Sequence, residues 1–295
     1  MKKLIFTGSA VALITPMQGD GTVNFEELER LAEFHVESGT DAIVVCGTTG
    51  ESATLEDAEH LECISRVVKV VAGRIPVIAG TGSNNTAHAI MMSKEAKERG
   101  ADALLLVTPY YNKTSQEGLI KSFTAIVDSV QMPAIIYNVP SRTGVNINPQ
   151  TALELSKNPW ICGLKEASGN ISQVAEIAAL CGQELPLYSG NDDQVVPLLS
   201  LGGQGVISVV ANVAPAQMHQ LCRLWWDGKT QESCTMQLQL LELCNAMFCD
   251  VNPSPVKIAM NLLGWSAGAC RLPLVEPSEQ NQEKIRRALR NAGLL

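Results

Sequence analysis

A short apolar run alternates with a helix-period segment eight times between the start of this chain and residue 226. The apolar runs are often β-branched and bounded by Gly, Pro or Asp, which is typical of parallel strands buried on both faces. They lie at 9–14, 42–46, 76–79, 103–107, 134–137, 161–164, 186–188 and 205–210. Eight near-equal units predict an α/β fold of the (β/α)8 type, the TIM barrel. An open doubly wound sheet is the alternative, and it would require a reversal of strand order.

The segments between these runs have helical periodicity and recognisable ends. Asn24 and Glu27 predict a capping-box start for the first helix, and Gly39 predicts its end. Thr54 and Asp57 predict the start of the second helix. Further helices are predicted over 86–100, 115–130, 149–157, 171–181, 193–201 and 215–226.

The alternation stops after Trp226. Residues 227–295 contain no strand-like run, and helices are predicted there over 231–247, 255–263 and 278–291. The segment Asn252-Pro-Ser-Pro predicts a turn between two of these helices. We therefore expect two domains: a catalytic (β/α)8 barrel over 1–226 and a small C-terminal α-helical domain over 227–295.

Composition narrows the classes of partner and compartment. A net charge of −8 argues against nucleic acid and anionic membranes, which reward clustered Lys and Arg. No window approaches the ~20 apolar residues that a membrane span needs. Nine scattered cysteines without a C-x-x-C pair, and an N-terminal apolar run too short for a signal peptide, predict a reduced, cytoplasmic protein.

Lys165 is the sharpest candidate for a catalytic residue, because active sites of parallel barrels form at the carboxyl ends of strands. It directly follows the run 161–164, and strand alternation places it on one face with Ile161 and Gly163. If that face is the lumen, the lysine is partly desolvated, which lowers its pKa and frees the amine to attack a carbonyl. A solvated lysine, or one paired with a carboxylate, is the alternative.

Three other features are predicted to lie at the same rim as Lys165. Tyr137 ends the preceding run, ~4.8 Å away at the spacing of adjacent strands, where a phenol relays protons or simply packs. The loop 47–51, Gly-Thr-Thr-Gly-Glu, offers amides and hydroxyls to a carboxylate or phosphate, although such clusters are ordinary in loops. Arg142 follows the fifth run and either grips a second carboxylate or is solvated.

No metal or other cofactor is expected. The four histidines have helical settings and no ligand spacing, so metal-dependent aldol chemistry would lack its ligands.

Motifs along nearly the whole chain resemble those of the dihydrodipicolinate synthases. They are GTTGE at 47–51, TPYYN at 108–112, YNVPSRTG at 137–144, GLKEASGN at 163–170, GGQGVISV at 202–209 and NPSPVK at 252–257. The lysine, the tyrosine and GTTGE are shared with the wider pyruvate-lyase group that includes N-acetylneuraminate lyase. The SRTG segment and the paired tyrosines are typical of the synthases.

The resemblance implies a class I lyase of lysine and diaminopimelate biosynthesis. Lys165 would form an imine with pyruvate, and the enamine would attack L-aspartate 4-semialdehyde to give 4-hydroxy-tetrahydrodipicolinate. Thr48, Tyr137 and Tyr111 would relay protons, with Tyr111 contributed by a neighbouring subunit. The implied assembly is a homotetramer, a dimer of dimers.

The resemblance also implies how the substrates are held. Thr48 and Thr49 would bind the carboxylate of pyruvate, and Arg142 that of the semialdehyde. Gly190 and the carbonyl of Ile207 would shape the pocket.

Feedback-regulated members of the family bind lysine at a subunit interface. The matching positions here are Ser52, Ala53, His60, Asn84, His88 and Tyr110. His88 stands where those members have a carboxylate, and a histidine serves an ammonium group poorly. We therefore predict weak or absent inhibition by lysine.

Two other functions remain open at this point. An N-acetylneuraminate or 2-keto-3-deoxy-sugar-acid aldolase would keep the imine and change the acceptor. Arg142 argues against it, since a sugar aldehyde needs hydroxyl partners rather than a fixed cation. A non-catalytic barrel that binds keto acids is disfavoured by the joint presence of Lys165, Tyr137 and Thr48.

Overall fold

Eight parallel strands close into a barrel in the computed structural model, which describes residues 2 and 4–295. The first strand pairs with the last, so the open doubly wound alternative is excluded and the TIM-barrel prediction is confirmed. The strands are β1 Gly8–Ala12, β2 Ala42–Val45, β3 Val77–Gly80, β4 Ala103–Val107, β5 Ala134–Asn138, β6 Ile161–Glu166, β7 Leu187–Ser189 and β8 Gly205–Ser208.

Helices cover the outside of the barrel and form the C-terminal region. They are α1 Phe25–Glu37, α2 Asp57–Val71, α3 Thr86–Glu98, α4 Gln116–Val130, α5 Pro140–Thr143, α6 Pro149–Leu155, α7 Ile171–Cys181, α8 Val195–Ser200, α9 Pro215–Trp226, α10 Thr230–Gln239, α11 Leu241–Met247, α12 Ser254–Leu262 and α13 Glu279–Asn291. None of the helices in the described ranges is long and apolar enough to cross a membrane.

The first two helix starts test the capping predictions. The Asn24 side chain caps α1 by accepting a hydrogen bond from the Glu27 N–H, which is half of the predicted capping box. The reciprocal half is absent, because the Asn24 N–H donates to the main-chain oxygen of Pro16 instead of to Glu27. The predicted start of α2 at Thr54 is wrong. Thr54 ends a separate 3-10 turn, and α2 begins at Asp57 behind a capping box formed by Glu56 and Glu59.

Strand alternation sorts the buried side chains into two apolar layers. In β2, Ile43 and Val45 pack against the helices, whereas Ala42 and Val44 point into the lumen. At the bottom of the lumen the rings of Phe6 and Tyr188 stack with centroids 4.4 Å apart. The barrel is therefore a filled core that is open for chemistry at the carboxyl ends of its strands.

β6 departs from regular alternation. Ala134 of β5 pairs with Ile161, but the next residue pairs with Gly163, so Cys162 is an extra residue, a β-bulge. Ile161 consequently packs in the outer layer with the helices. The expectation that Ile161 shares a face with Lys165 is wrong, because the bulge changes the phase of the strand between them.

The C-terminal region contains one more helix than expected. The predicted helix 231–247 divides at Leu240 into α10, which packs on α9, and α11, which packs on α13. The two halves lie on different supports, and the chain turns between them. The helix α10 packs on α9 of the barrel. The division into two domains at residue 226 stays a prediction.

Candidate active site

Lys165 lies at the carboxyl end of β6 between Tyr137 of β5 and Tyr188 of β7. Its side chain is buried, and among the residues that the structure describes its Nζ has no hydrogen-bond or ion-pair partner. The Nζ lies 4.4 Å from the centroid of the Tyr137 ring. A Cβ at Gly190 would lie 3.1 Å from the Lys165 Cε and 2.6 Å from the Cβ of Ala167, so a glycine is required beside the amine.

Burial lowers the pKa of Lys165 from its ordinary value of 10.5 to about 8. The negative charge of Asp192 opposes this fall, and the positive charge of Arg142 adds to it. A sizeable fraction of the amine is therefore neutral near pH 8 and available to attack a carbonyl. The solvated and the carboxylate-paired alternatives for this lysine do not describe the structure.

Tyr137 and Thr48 form a hydroxyl pair beside the amine. The Tyr137 side chain is buried, which raises its pKa, while the charge of Arg142 and a hydrogen bond with the Thr48 side chain oppose that rise. A neutral phenol that is hydrogen-bonded to a second hydroxyl can pass protons to and from a neighbouring amine. The structure thus brings together three of the four predicted catalytic residues.

Tyr111 is the fourth, and it does not join the others within one chain. Its side chain is 92 % exposed, and its backbone has a φ of +69°, in the left-handed region that non-glycine residues rarely adopt. The residue therefore projects from the rim into solvent instead of toward Lys165.

Asn252 connects the two residues that were expected to hold carboxylates. Its Nδ2 donates a hydrogen bond to the Thr49 hydroxyl at 3.0 Å, and its main-chain oxygen accepts one from Arg142 Nη2 at 3.4 Å. Sequence reasoning missed this residue, although it lies in the NPSPVK motif. Arg142 itself lies on α5, a single helical turn after β5 that was not predicted.

A cavity of about 320 Å³ opens above these residues. Its lining includes Thr48, Val107, Tyr110, Arg142, Asn252 and Leu274. The barrel rim supplies one wall and the C-terminal region the other. A cavity of this size accommodates a small substrate that carries carboxylates.

The end of the GTTGE loop is clamped by the C-terminal helices. Glu51 is buried with a left-handed φ of +55°, and its Oε1 lies 2.8 Å from the Nζ of Lys257. That Nζ also donates to the main-chain oxygens of Thr15 and Ala269, and Glu51 Oε2 accepts from the Arg271 N–H. The carboxylate and the ammonium group are therefore both satisfied, and the loop that carries Thr48 is held from behind.

Asp192 follows β7 and is a second acidic residue that sequence reasoning did not select. Its side chain is buried, and Oδ2 accepts hydrogen bonds from the N–H groups of Val209 at 3.0 Å and Val210 at 3.2 Å. Its Oδ1 has no hydrogen-bond partner among the residues of 2 and 4–295. Ile207, predicted to shape the pocket, lies in the lumen on the strand that precedes these two N–H groups.

The residues of the expected lysine site lie around the loops that follow β2, β3 and β4. Ser52, Ala53 and Tyr110 line the cavity described above, and Asn84 Nδ2 donates to the main-chain oxygen of Tyr110 at 3.2 Å.

The two histidines of that site differ in their surroundings. His60 is buried, its Nε2 lies 2.8 Å from the main-chain oxygen of Gly80, and burial lowers its pKa. His88 is partly exposed, and its Nε2 lies 3.0 Å from the Oδ1 of Asp57. Within the described part of the chain, no three His, Cys, Asp or Glu side chains cluster as a metal site would require.

Comparison with known proteins gives one consistent result. Residues 5–292 match the model of the dihydrodipicolinate synthetase family. The chain is 56 % identical over 290 residues, 98 % of both chains, to the 4-hydroxy-tetrahydrodipicolinate synthase of Caldicellulosiruptor saccharolyticus. It is 55 % identical over 287 residues, 97 % of both chains, to that of Clostridium novyi.

Solved structures agree. The chloride-inhibited dihydrodipicolinate synthase from Acinetobacter baumannii, complexed with pyruvate, superposes with a TM-score of 0.96 at 44 % identity, over 98 % of this chain and 99 % of that one. The dihydrodipicolinate synthase from Cyanidioschyzon merolae with lysine bound gives 0.96 at 41 % identity, over 99 % and 100 %.

Proposed function

The chain belongs to the dihydrodipicolinate synthetase family, and on that premise we propose how its barrel mouth performs the condensation of pyruvate with L-aspartate 4-semialdehyde. It is a lyase that forms 4-hydroxy-tetrahydrodipicolinate in lysine and diaminopimelate biosynthesis. One observation carries the mechanism: Lys165 is buried at the mouth without a hydrogen-bond or ion-pair partner in the described ranges, and its pKa is lowered to about 8.

The neutral amine of Lys165 attacks C2 of pyruvate, and the carbinolamine loses water to give an imine. The Tyr137 hydroxyl, backed by Thr48, donates and accepts the protons that this dehydration moves. Loss of a C3 proton converts the iminium to an enamine, whose C3 forms a bond with the aldehyde carbon of the semialdehyde. The amino group of the adduct then attacks C2, closes the ring and releases Lys165.

Thr48 and Thr49 hold the carboxylate of pyruvate, and Arg142 holds that of the semialdehyde. The hydrogen bond from Asn252 to the Thr49 hydroxyl supports this assignment. That hydroxyl accepts from the amide, so its own proton is left to point at an anion. A guanidinium group close enough to lower the pKa of Lys165 also places the second carboxylate beside the imine.

Assembly completes the site in this proposal. Tyr111, which is almost fully exposed in the single chain, enters the proton relay of a neighbouring subunit in a homotetramer arranged as a dimer of dimers. We place the enzyme, and with it this step of lysine biosynthesis, in the cytoplasm.

Reductive trapping tests the mechanism. Pyruvate plus borohydride should add one reduced pyruvyl group to the protein, and peptide mapping should locate it on Lys165. The Lys165→Met variant should take up none, whereas Lys229→Met, which removes an exposed lysine, should behave like the parent. Absence of an adduct, or an adduct on another lysine, would overturn the proposal. Supplying aspartate semialdehyde and a sugar aldehyde separately tests the acceptor.

A further inference from the structure

Asp192 is a buried carboxylate for which the reaction steps above have no use. It lies two residues after Gly190, whose lack of a side chain makes room for the Lys165 Cε. Two main-chain N–H groups fix its Oδ2, and its Oδ1 has no partner among the described residues. Burying a charge that is only half satisfied is costly, so a nearby cation is needed to offset the cost.

The groups that face Asp192 from its neighbouring elements include one cation. Burial raises the pKa of the Asp192 carboxyl, and hydrogen bonds with the Ser208 side chain and the two main-chain N–H groups, followed by the positive charge of Lys165 of β6, oppose that rise. Cys222 of α9 and Cys244 of α11 also lie within its electrostatic reach. Burial raises the pKa of both thiols, so they stay neutral at the pH of the reaction.

Two charged groups face Lys165 in turn, and they act in opposite directions. Asp192 raises the pKa of the amine, and Arg142 of α5 lowers it. Tyr137 of β5, whose pKa is raised by burial, presents a neutral ring. Of these two charged groups, only the carboxylate favours a cation at the tip of Lys165.

Asp192 and Lys165 are not in ion-pair contact, since no ion pair within 4.0 Å joins them. This separation matters chemically. A direct ion pair would hold the amine protonated and block its attack on pyruvate, as at any lysine with a contacting carboxylate. A carboxylate that acts on the lysine without contacting it stabilises a cation there and leaves the amine free to react.

We propose that Asp192 is the buried counter-charge of the lysine imine, fixed by the N–H groups of Val209 and Val210 so that it stabilises the iminium cation on Lys165. The inference rests on the imine mechanism proposed above. The iminium carries its positive charge next to Arg142 until a C3 proton leaves, and Asp192 offsets that repulsion. Asp192 acts through Lys165 and is therefore a positioning residue, not a catalytic one.

Two isosteric variants that each remove one negative charge test the proposal. Asp192→Asn removes the buried carboxylate, and Asp193→Asn removes its exposed neighbour. For each we would measure, against pH, the rate of borohydride trapping with saturating pyruvate. We expect the midpoint for Asp192→Asn to move about one pH unit or more to lower pH, because the charge that raises the pKa of Lys165 is gone. Trapping of the iminium should also slow about tenfold, while Asp193→Asn matches the parent.

An unchanged or upward-shifted midpoint in folded Asp192→Asn would overturn the counter-charge and leave the imine mechanism standing. Failure of the parent enzyme to form any pyruvate adduct would overturn both.

A second measurement does not need that variant to fold. Infrared titration of protein with ¹³C-labelled aspartate should show the protonated Asp192 band appearing at higher pH in Lys165→Met than in the parent. Coupling between two sites is reciprocal, so equal titration in both proteins would contradict the proposal.

Discussion

Lys165 and Lys257 are both buried, at 5 % and 1 % exposure, yet their surroundings differ completely. Lys257, on α12, donates to the Glu51 carboxylate and to two main-chain oxygens. Lys165, on β6, has a tyrosine ring against it and no hydrogen-bond partner in the described ranges. Lys257 holds the end of the Gly-Thr-Thr-Gly-Glu loop through Glu51, whereas Lys165 lies against Tyr137, which is hydrogen-bonded to Thr48 of that loop.

This contrast shows what makes a buried lysine reactive. A buried ammonium with three acceptors is a structural element, since every proton it carries is bonded. A buried amine without acceptors loses its proton more readily, and the fall of its pKa from 10.5 to about 8 corresponds to roughly 3 kcal/mol. That free energy is lost from folding at neutral pH, and the same lowered pKa leaves a larger fraction of the amine neutral and able to react.

The largest expected effect comes from replacing the unpaired lysine. Lys165→Met removes the nucleophile, so we expect the condensation rate to fall by at least about 10⁴-fold. A coupled assay that follows product formation measures this, with Lys229→Met as the control. Retention of more than a small fraction of the activity would mean that another group forms the covalent bond.

Replacing the paired lysine should damage the fold instead. Lys257→Met leaves the Glu51 carboxylate buried without its cation, and we expect a loss of about 3–5 kcal/mol in the free energy of unfolding. Denaturant titration measures the loss. The double variant Lys257→Met with Glu51→Gln should recover part of it, because no uncompensated charge remains. Equal stability of Lys257→Met and the parent would refute the structural role of this lysine.

Stability against pH separates the two lysines further. The folded state lowers the pKa of Lys165, so the unfolded chain binds more protons between pH 8 and 10.5 and stability rises with pH in that window. Lys165→Met removes this dependence. We expect it to be roughly 3 kcal/mol more stable than the parent below pH 8, with the difference vanishing by pH 10.5. A stability difference that does not change with pH would contradict the lowered pKa.

Asn252 lies in the same NPSPVK segment as Lys257 and contacts two residues of the proposed substrate site, Thr49 and Arg142. These two contacts can be separated by mutation. Asn252→Ala removes the amide that bonds Thr49 but keeps the main-chain oxygen that accepts from Arg142. We therefore expect the KM for pyruvate to rise about tenfold, with little change in the KM for the semialdehyde. Steady-state kinetics measure both constants, and Asn245→Ala on the exposed face of α11 is the control. An equal rise in both constants would show that the substitution disturbs the whole loop.

The smallest expected effect concerns free lysine, whose ammonium group would need an acceptor at the expected lysine site. On the resemblance to the synthases, His88, which lies beside Asp57, stands where feedback-regulated members have a carboxylate, so we expect lysine to leave the condensation rate nearly unchanged. His88→Glu should increase inhibition, because a carboxylate accepts an ammonium group directly. Strong inhibition of the parent enzyme would refute this prediction.

The barrel and its rim were predictable because they depend on local patterns. Apolar runs of three to six residues with Gly and Pro at their ends located all eight strands to within two residues. The pairing of Tyr137 with Lys165 followed from the spacing of adjacent strands. The split of the helix at Leu240 was not predictable, since apolar side chains continue with helical spacing across it and only the packing on two different helices divides it.

The contacts that tune the site could not be predicted for a different reason. Asn252 meets Thr49 across about two hundred residues of chain, and Lys257 meets Glu51 across a similar distance in sequence. Nothing in the pattern around either partner indicates the other, because the meeting depends on how the C-terminal helices pack on the rim. The NPSPVK motif marked the segment as unusual, but its spacing did not assign its residues a role.

The bulge at Cys162 determines how β6 responds to the loss of a residue. Losing its codon would leave Ile161, Gly163, Leu164 and Lys165 in regular alternation, so every side chain would keep its layer. Since the bulged residue has no partner of its own on β5, Lys165 would still lie opposite Tyr137. An in-frame deletion at this position is therefore expected to keep Lys165 beside Tyr137, so β6 can lose a residue here without losing the register of its reactive lysine.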